Sequence, residues 1–244
     1  VRVLIIGATS AIAGETAKAY AEAGARLFLT GRNPGRLASV ADDLRVRGAA
    51  QVDTAVLDVG QISRHREVID SAIATLGGLD VVLIAHGTLP DQAGCQQRVA
   101  DTVEALHVNF TATIALLTEL ANYFEAQRRG SIAVITSVAG DRGRQSNYVY
   151  GAAKGGVERF LQGLRNRLYR SGVAVVSIKA GFVATPMTAT MKKNALFASP
   201  RRVGRAIYRA IERRRDVIYI PWFWRPLMAV IRSVPERIFK RLHL

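Results

Sequence analysis

The chain is poor in the residues that staple, anchor or ligate. Cys95 is the sole cysteine among 244 residues, which excludes an internal disulfide and agrees with a reducing compartment. No apolar run approaches the roughly 18 residues that a membrane-spanning helix requires. Strand-like apolar sequence begins at Val3, so a charged and then apolar leader has no room ahead of it. Internal repeats and low-complexity linkers are missing, and no metal site is expected. These absences predict a soluble, cytoplasmic protein.

Acids are scarce as well, 19 against 34 lysines and arginines, for a net charge of +15. The excess is local: from Arg201 to Leu244 there are 12 basic residues and three acids. The basicity belongs to the C-terminal segment and is not spread over the whole surface.

What is abundant is small or apolar. Hydrophobic residues make up 49% of the chain and there are 21 glycines, a composition that folds around one substantial core. Short runs rich in Val, Ile and Leu at 3–6, 26–30, 52–57, 80–85, 132–136 and 173–179 predict strands, with a seventh at 217–220. Their weak polar alternation is that of strands covered on both faces. Between them, helical periodicity runs over 11–23, 63–76, 99–128 and 148–170. Repeated strand-then-helix order with right-handed crossovers gives an α/β fold, a Rossmann-like doubly wound parallel sheet of about seven strands. Ligands of such sheets bind at the carboxyl ends of strands, so the interrupted stretch 186–200 is read as a substrate lid.

Two ends of this pattern carry chemistry. The first strand-to-helix turn reads Gly7-Ala8-Thr9-Ser10-Ala11-Ile12-Ala13-Gly14. Small residues there let backbone N–H groups at a helix N-terminus approach a pyrophosphate. After the second strand comes Thr30-Gly31-Arg32-Asn33. An NAD site would place an acid here for the ribose 2′-hydroxyl, whereas Arg32 has the planar fork that suits a 2′-phosphate. The reading is NADP(H), set against an arginine that is merely solvated at a strand end.

Further on, Ser137 ends the fifth strand, and Tyr150 and Lys154 lie one turn apart on a helix, on one face. A Tyr-x-x-x-Lys pair alone is weak, since about one chain in six of this composition has one by accident. Asn109, in the preceding long helix, adds a fourth residue. The order Asn109, Ser137, Tyr150, Lys154, with the glycine-bearing first turn, resembles the short-chain dehydrogenase/reductase family over most of residues 1–190. Departures are Ala11 and Ala13 for the later glycines of the turn, and Ile84-Ala85-His86-Gly87 where the family has Asn-Asn-Ala-Gly.

The resemblance implies a reaction and roles. Tyr150 would exchange a proton with the substrate oxygen, and a neighbouring Lys154 ammonium would favour the phenolate. Lys154 would also hold the nicotinamide ribose, Ser137 the carbonyl oxygen, and Asn109 a water leading to solvent. Cofactor contacts would come from Gly7, Thr9, Ser10, Ala11 and Ile12, from Arg32, from Asp58 and Val59 after the third strand, from Ala85 and Gly87 after the fourth, and from Gly181, Val183 and Thr185 after the sixth, besides Tyr150 and Lys154. His86 is read as structural. The reaction expected is NADPH-dependent reduction of a ketone to a secondary alcohol; the alternatives are oxidation of a lipid or steroid alcohol and an NADP-binding sensor or scaffold. Family members are commonly dimers or tetramers, so a homo-oligomer is expected.

Residues 1–220 are read as the catalytic domain and 221–244 as a basic aromatic extension. It holds both tryptophans, Trp222 and Trp224, and its prolines Pro226 and Pro235 limit it to short helices. Such a segment suits a membrane interface with anionic headgroups; equally, it would close the substrate pocket or form a subunit interface. The Arg201, Arg205, Arg209, Arg213 stripe comes without a nucleic-acid recognition motif, and nucleic acid is not expected as a partner. Tail and first turn together resemble bacterial reductases of a decaprenylphosphoryl 2-keto-pentose. That likeness implies a lipid-linked carbonyl substrate at a cytoplasmic membrane face, its phosphate contacted by Lys192 and Lys193.

Overall fold

The computed structural model describes residues 1–189 and 194–242, so the Lys192–Lys193 contact lies outside the described residues. Seven strands form one parallel sheet: β1 Arg2–Ile6, β2 Arg26–Gly31, β3 Gln51–Val56, β4 Val81–Ile84, β5 Ser131–Ser137, β6 Ala174–Ala180 and β7 Val217–Ile220. Their order is β3-β2-β1-β4-β5-β6-β7, the α/β Rossmann-like arrangement. The chain moves outward from β1 through β2 to β3, then returns to the other side of β1 with β4. The reversal opens a crevice beyond the ends of β1 and β4, where such sheets bind ligands.

The unbroken apolar strands follow from two cores. Val3 and Ile5 of β1 pack on one face with Ala13, Ala17, Leu37 and Ile207. Leu4 and Ile6 point to the other, against Val68, Leu116, Leu120 and Leu161. Alternate side chains face opposite ways and both ways are buried, so polar alternation has no place. The first face is covered by α1 Ala11–Glu22, α2 Pro34–Val46 and α8 Pro200–Glu212. The second is covered by α3 His65–Leu76, α6 Ala112–Gln127 and α7 Tyr148–Leu168. Two further helices, α4 Gln92–Gln97 and α5 Val99–Leu106, precede α6.

The predicted helix over 99–128 is two helices. Between α5 and α6 the backbone forms a wide π turn, His107–Thr111, with Asn109 inside it. Side-chain periodicity continues through such a turn, so the pattern does not reveal it; π turns commonly mark functional positions. The extension forms α9 Trp224–Ser233 and the single turn α10 Glu236–Phe239, broken at Val234–Pro235. Among the described residues, no helix is long and apolar enough to cross a membrane.

Four elements are tied together behind the sheet's carboxyl end by a buried ammonium. Lys179 of β6 lies 2.6 Å from Asp141 Oδ1, just past β5, and 3.8 Å from Glu158 Oε1 of α7. Tyr219 of β7 donates to the other Asp141 oxygen at 2.8 Å, and Thr136 donates to Glu158 at 3.3 Å. Burial works against the Lys179 charge, but Asp141 and Glu158 outweigh it and raise its pKa. Replacing only the cation strands two buried carboxylates. Lys179→Met is therefore expected to lower stability by about 3–5 kcal/mol, read as a drop in the urea midpoint; a midpoint equal to wild type would show that the cluster locks nothing.

Candidate active site

A cleft of about 390 Å³ lies in the crevice between β1 and β4. Gly7, Thr9, Ser10, Ala11, Ile12, Arg32, Asp58, Val59, Ala85, Gly87 and Thr185 all line it. Within the first turn only Gly7 has a positive φ, +85°, and a Cβ there would stand 2.7 Å from the His86 backbone nitrogen. Ala11 and Ala13 lie in the helix proper, where alanine is at ease, so the missing glycines cost the turn nothing. Ser10 precedes α1 in extended geometry, makes no side-chain cap, and the first turn has no acid. The opening N–H groups of α1 thus remain available to an anion.

Gly31 is closely packed: a Cβ would stand 3.2 Å from the Thr9 side-chain methyl, which would have to give by a few tenths of an ångström. Arg36 lines the cleft beside Arg32, and the sequence reading missed it. Asn33 caps α2 by accepting from the Arg36 backbone N–H at 2.9 Å, which fixes the first turn carrying Arg36. The spacing Arg32-x-x-x-Arg36 across a helix start was the available signal.

The cleft continues into a second pocket of about 150 Å³, sharing Ser10, Ile12, Ala85, His86, Gly87 and Thr185 with it. Ser137, Tyr150, Lys154, Gly181 and Val183 line this part. Ser137 and Tyr150 are brought together by backbone packing. The turn after β5 lies so close to α7 that a Cβ on Gly140 would be 2.7 Å from Gly155 N, and one on Gly151 would be 2.9 Å from Ala139 O. Ser137 hydrogen-bonds Tyr150. Tyr148 stands outside the pocket, exposed at the start of α7.

Lys154 is buried, donates to Ile135 O at 3.3 Å, and its Nζ sits 5.7 Å from the Tyr150 ring centre. Burial pushes its pKa down to about 8. Burial likewise pushes Tyr150 up to about 12, and the Ser137 hydrogen bond only partly opposes this. The expected net lowering of the Tyr150 pKa is corrected here: desolvation of the phenol is the larger influence, with the Lys154 ammonium 5.7 Å from the ring centre. Tyr150 is a protonated acid in this pocket.

Asn109 does not line the pocket. Fully buried in its π turn, it accepts from Thr88 N at 3.0 Å and donates to Ala105 O at 3.0 Å. The absent side chain of Gly87 leaves its approach open: a Cβ there would fall 3.0 Å from Asn109 Oδ1 and 3.3 Å from Lys154 Nζ. His86 is half-buried, bonded to Thr113 Oγ1 at 3.1 Å, and pushed down to about 3, mainly by desolvation.

The extension closes this end. Trp224, 3% exposed, covers Gly181 so closely that a Cβ would meet its indole nitrogen, and it packs with Val138, Phe182 and Met228. Arg142, just before the pocket wall, donates to the carbonyls of Ile231 and Val234 at 2.6 Å, pairs with Glu236 and lies 3.6 Å over the Phe239 ring. Of the predicted lid, Pro186, Met187 and Thr188 edge the two cavities, and 190–193 lie outside the described residues.

A crevice at the sheet's switch point, leading to a serine, tyrosine and lysine, defines a nicotinamide-dependent oxidoreductase. Residues 2–196 match the family model for short chain dehydrogenase. An uncharacterized oxidoreductase of Mycobacterium tuberculosis is 38% identical, covering 98% of this chain and 96% of its own. One from Streptomyces coelicolor is 32% identical over 98% and 94%. A Xenopus tropicalis protein named hydroxysteroid 11-beta-dehydrogenase 1-like is 32% identical over 93% and 80%. The chain belongs to the short-chain dehydrogenase family and is an NAD(P)-dependent oxidoreductase.

Proposed function

We propose that the protein uses NADPH to reduce a ketone to a secondary alcohol, with Tyr150 as proton donor. The supporting observation is the pair of hydroxyls, Ser137 and Tyr150, hydrogen-bonded in a pocket where burial keeps Tyr150 protonated. A protonated phenol is ready to give a proton to a carbonyl oxygen; oxidation of an alcohol would need the phenolate first. The steroid-dehydrogenase name of one relative favours that second direction, and the pocket favours the first.

The residues fit a dinucleotide: the uncapped start of α1 and the opening at Gly7 suit its pyrophosphate, and Lys154 and Gly87 adjoin the place for its nicotinamide end. When bound, the nicotinamide supplies a hydride to the carbonyl carbon. Ser137 orients the carbonyl oxygen, and Tyr150 delivers its phenolic proton to that oxygen. Lys154 then stabilises the phenolate and returns a proton to it, with Asn109 behind Gly87 holding a water toward solvent.

NADP preference rests on Arg32 and Arg36, which face the same cleft with no acid partner among the described residues, and on Gly31 where an acid would stand. Fluorescence titration is expected to show NADPH binding well ahead of NADH. Arg32→Ala and Arg36→Ala should each weaken NADPH by about tenfold and leave NADH unchanged. Equal affinity for the two cofactors in the wild type would overturn the assignment.

The substrate we favour is a lipid-linked keto-sugar met at a membrane face. Trp222 is 72% exposed and Val230 64%, alongside Arg225 and Arg232, so the segment from Trp222 through α9 keeps an apolar, cationic outer side after Trp224 and Met228 are buried. Val99 and Val103, exposed on α5, support self-association on another side. The protein should sediment with vesicles containing anionic lipid and lose that binding in Trp222→Ser/Val230→Ser; binding unaffected by these changes would discount the extension.

A further inference from the structure

The second pocket holds a cation that the reaction does not use. Arg144 lines it together with Ser137 and Tyr150, six residues before the tyrosine. Its side chain is half-buried and its Nε is fully shielded without a hydrogen-bond partner. Among the described residues, no carboxylate lines the pocket. Every other buried or half-buried arginine near this end is committed: Arg142 to the end of α9, Arg165 to Val175 O and Asp216. Burial alone shifts Arg144, downward, and no acid counters it. A guanidinium does not escape the cost of burial by losing its proton, so it remains a cation in want of an anion.

A second polar atom in the same wall is also unsatisfied. Asn147 Oδ1 is buried and accepts from nothing, one turn from Arg144. The wall thus offers a forked charged donor and a neutral acceptor, beside apolar Val138, Ala139 and Phe182 and in the same cavity as Ser137, Tyr150 and Lys154. Neither residue borders the larger cleft where a dinucleotide's phosphates would lie. The anion they await is therefore part of the substrate.

We infer that Arg144 is a substrate-binding residue that selects ketones bearing a carboxylate or phosphate, with Asn147 accepting from a hydroxyl of the same molecule. This rests on the reductase reading of the pocket and narrows it. The two are tested apart by pairing binding with turnover.

For binding, enzyme saturated with NADP⁺ is titrated calorimetrically with benzoate, phenyl phosphate and uncharged benzamide. Wild type should prefer one or both anions over benzamide by about 10–100-fold. Arg144→Met should abolish the preference and Arg144→Lys should keep part of it, with melting temperatures showing both variants folded. For turnover, phenylglyoxylate is compared with its uncharged amide, and the ratio of their kcat/KM values should fall toward one in Arg144→Met. A benzoate preference alone identifies a carboxylate site, and a phenyl phosphate preference alone a phosphate site. No anion preference in the wild type, or the same preference in Arg144→Met, overturns the assignment. Anion binding that depends on Arg144 without reduction of any ketone would keep the site and remove the reductase reading.

Discussion

Lys154 is held as an ammonium in a pocket that, among the described residues, is lined by no carboxylate, and much of the surrounding structure follows from that. Its pKa falls to about 8 and that of Tyr150 rises to about 12, both because water is excluded from the same place. The result is an acid that keeps its proton beside a cation that would welcome the phenolate. The proposed reduction would exploit this difference: the proton would leave Tyr150 only when a carbonyl oxygen gains electron density to receive it. Keeping both groups dry costs stability, and the fold must hold them in place by other contacts.

Those contacts lie around the pocket. Gly140 and Gly155 let the turn after β5 touch α7 backbone to backbone, which sets Ser137 against Tyr150. Lys179, with Asp141 and Glu158, pins the same turn to β6 and α7 from behind. Arg142 extends from that turn to grip the extension, and Trp224 seals Gly181. The turn between Ser137 and Tyr150 thus serves the serine, the ion cluster, the tail and the free guanidinium of Arg144 at once. In the +15 chain, two of the pocket's side chains are cations without acid partners, a polarity that suits both a phosphate-bearing cofactor and an anionic ketone.

The inner strands of the sheet were legible in the sequence because burial on both faces leaves them few polar residues to confuse the pattern. β7, one of the two edge strands, was legible from its apolar run Val217–Ile220, of which Ile220 is buried. The tyrosine, lysine and serine were legible because their spacing follows from one helix and one strand end. The π turn at Asn109 was not, since apolar periodicity passes through it unchanged. Arg36 and Arg144 were not, because an arginine on a helix start or in a loop has the same local pattern whether it faces water or a cavity. The direction of the Tyr150 shift was misread for a related reason: a neighbouring charge can be inferred from sequence, but the exclusion of water depends on the whole fold. Trp224 was legible only as part of an aromatic segment; its seat on Gly181 depends on α9 turning back over the pocket.

The central claim is that Tyr150 gives the proton, and Tyr150→Phe tests it most directly. With a ketone that the wild type reduces, turnover should fall by about 10²–10⁴-fold, while NADPH affinity measured on the same preparation stays at the wild-type value. Turnover that survives the loss of the hydroxyl would contradict the account and move the proton source elsewhere in the pocket.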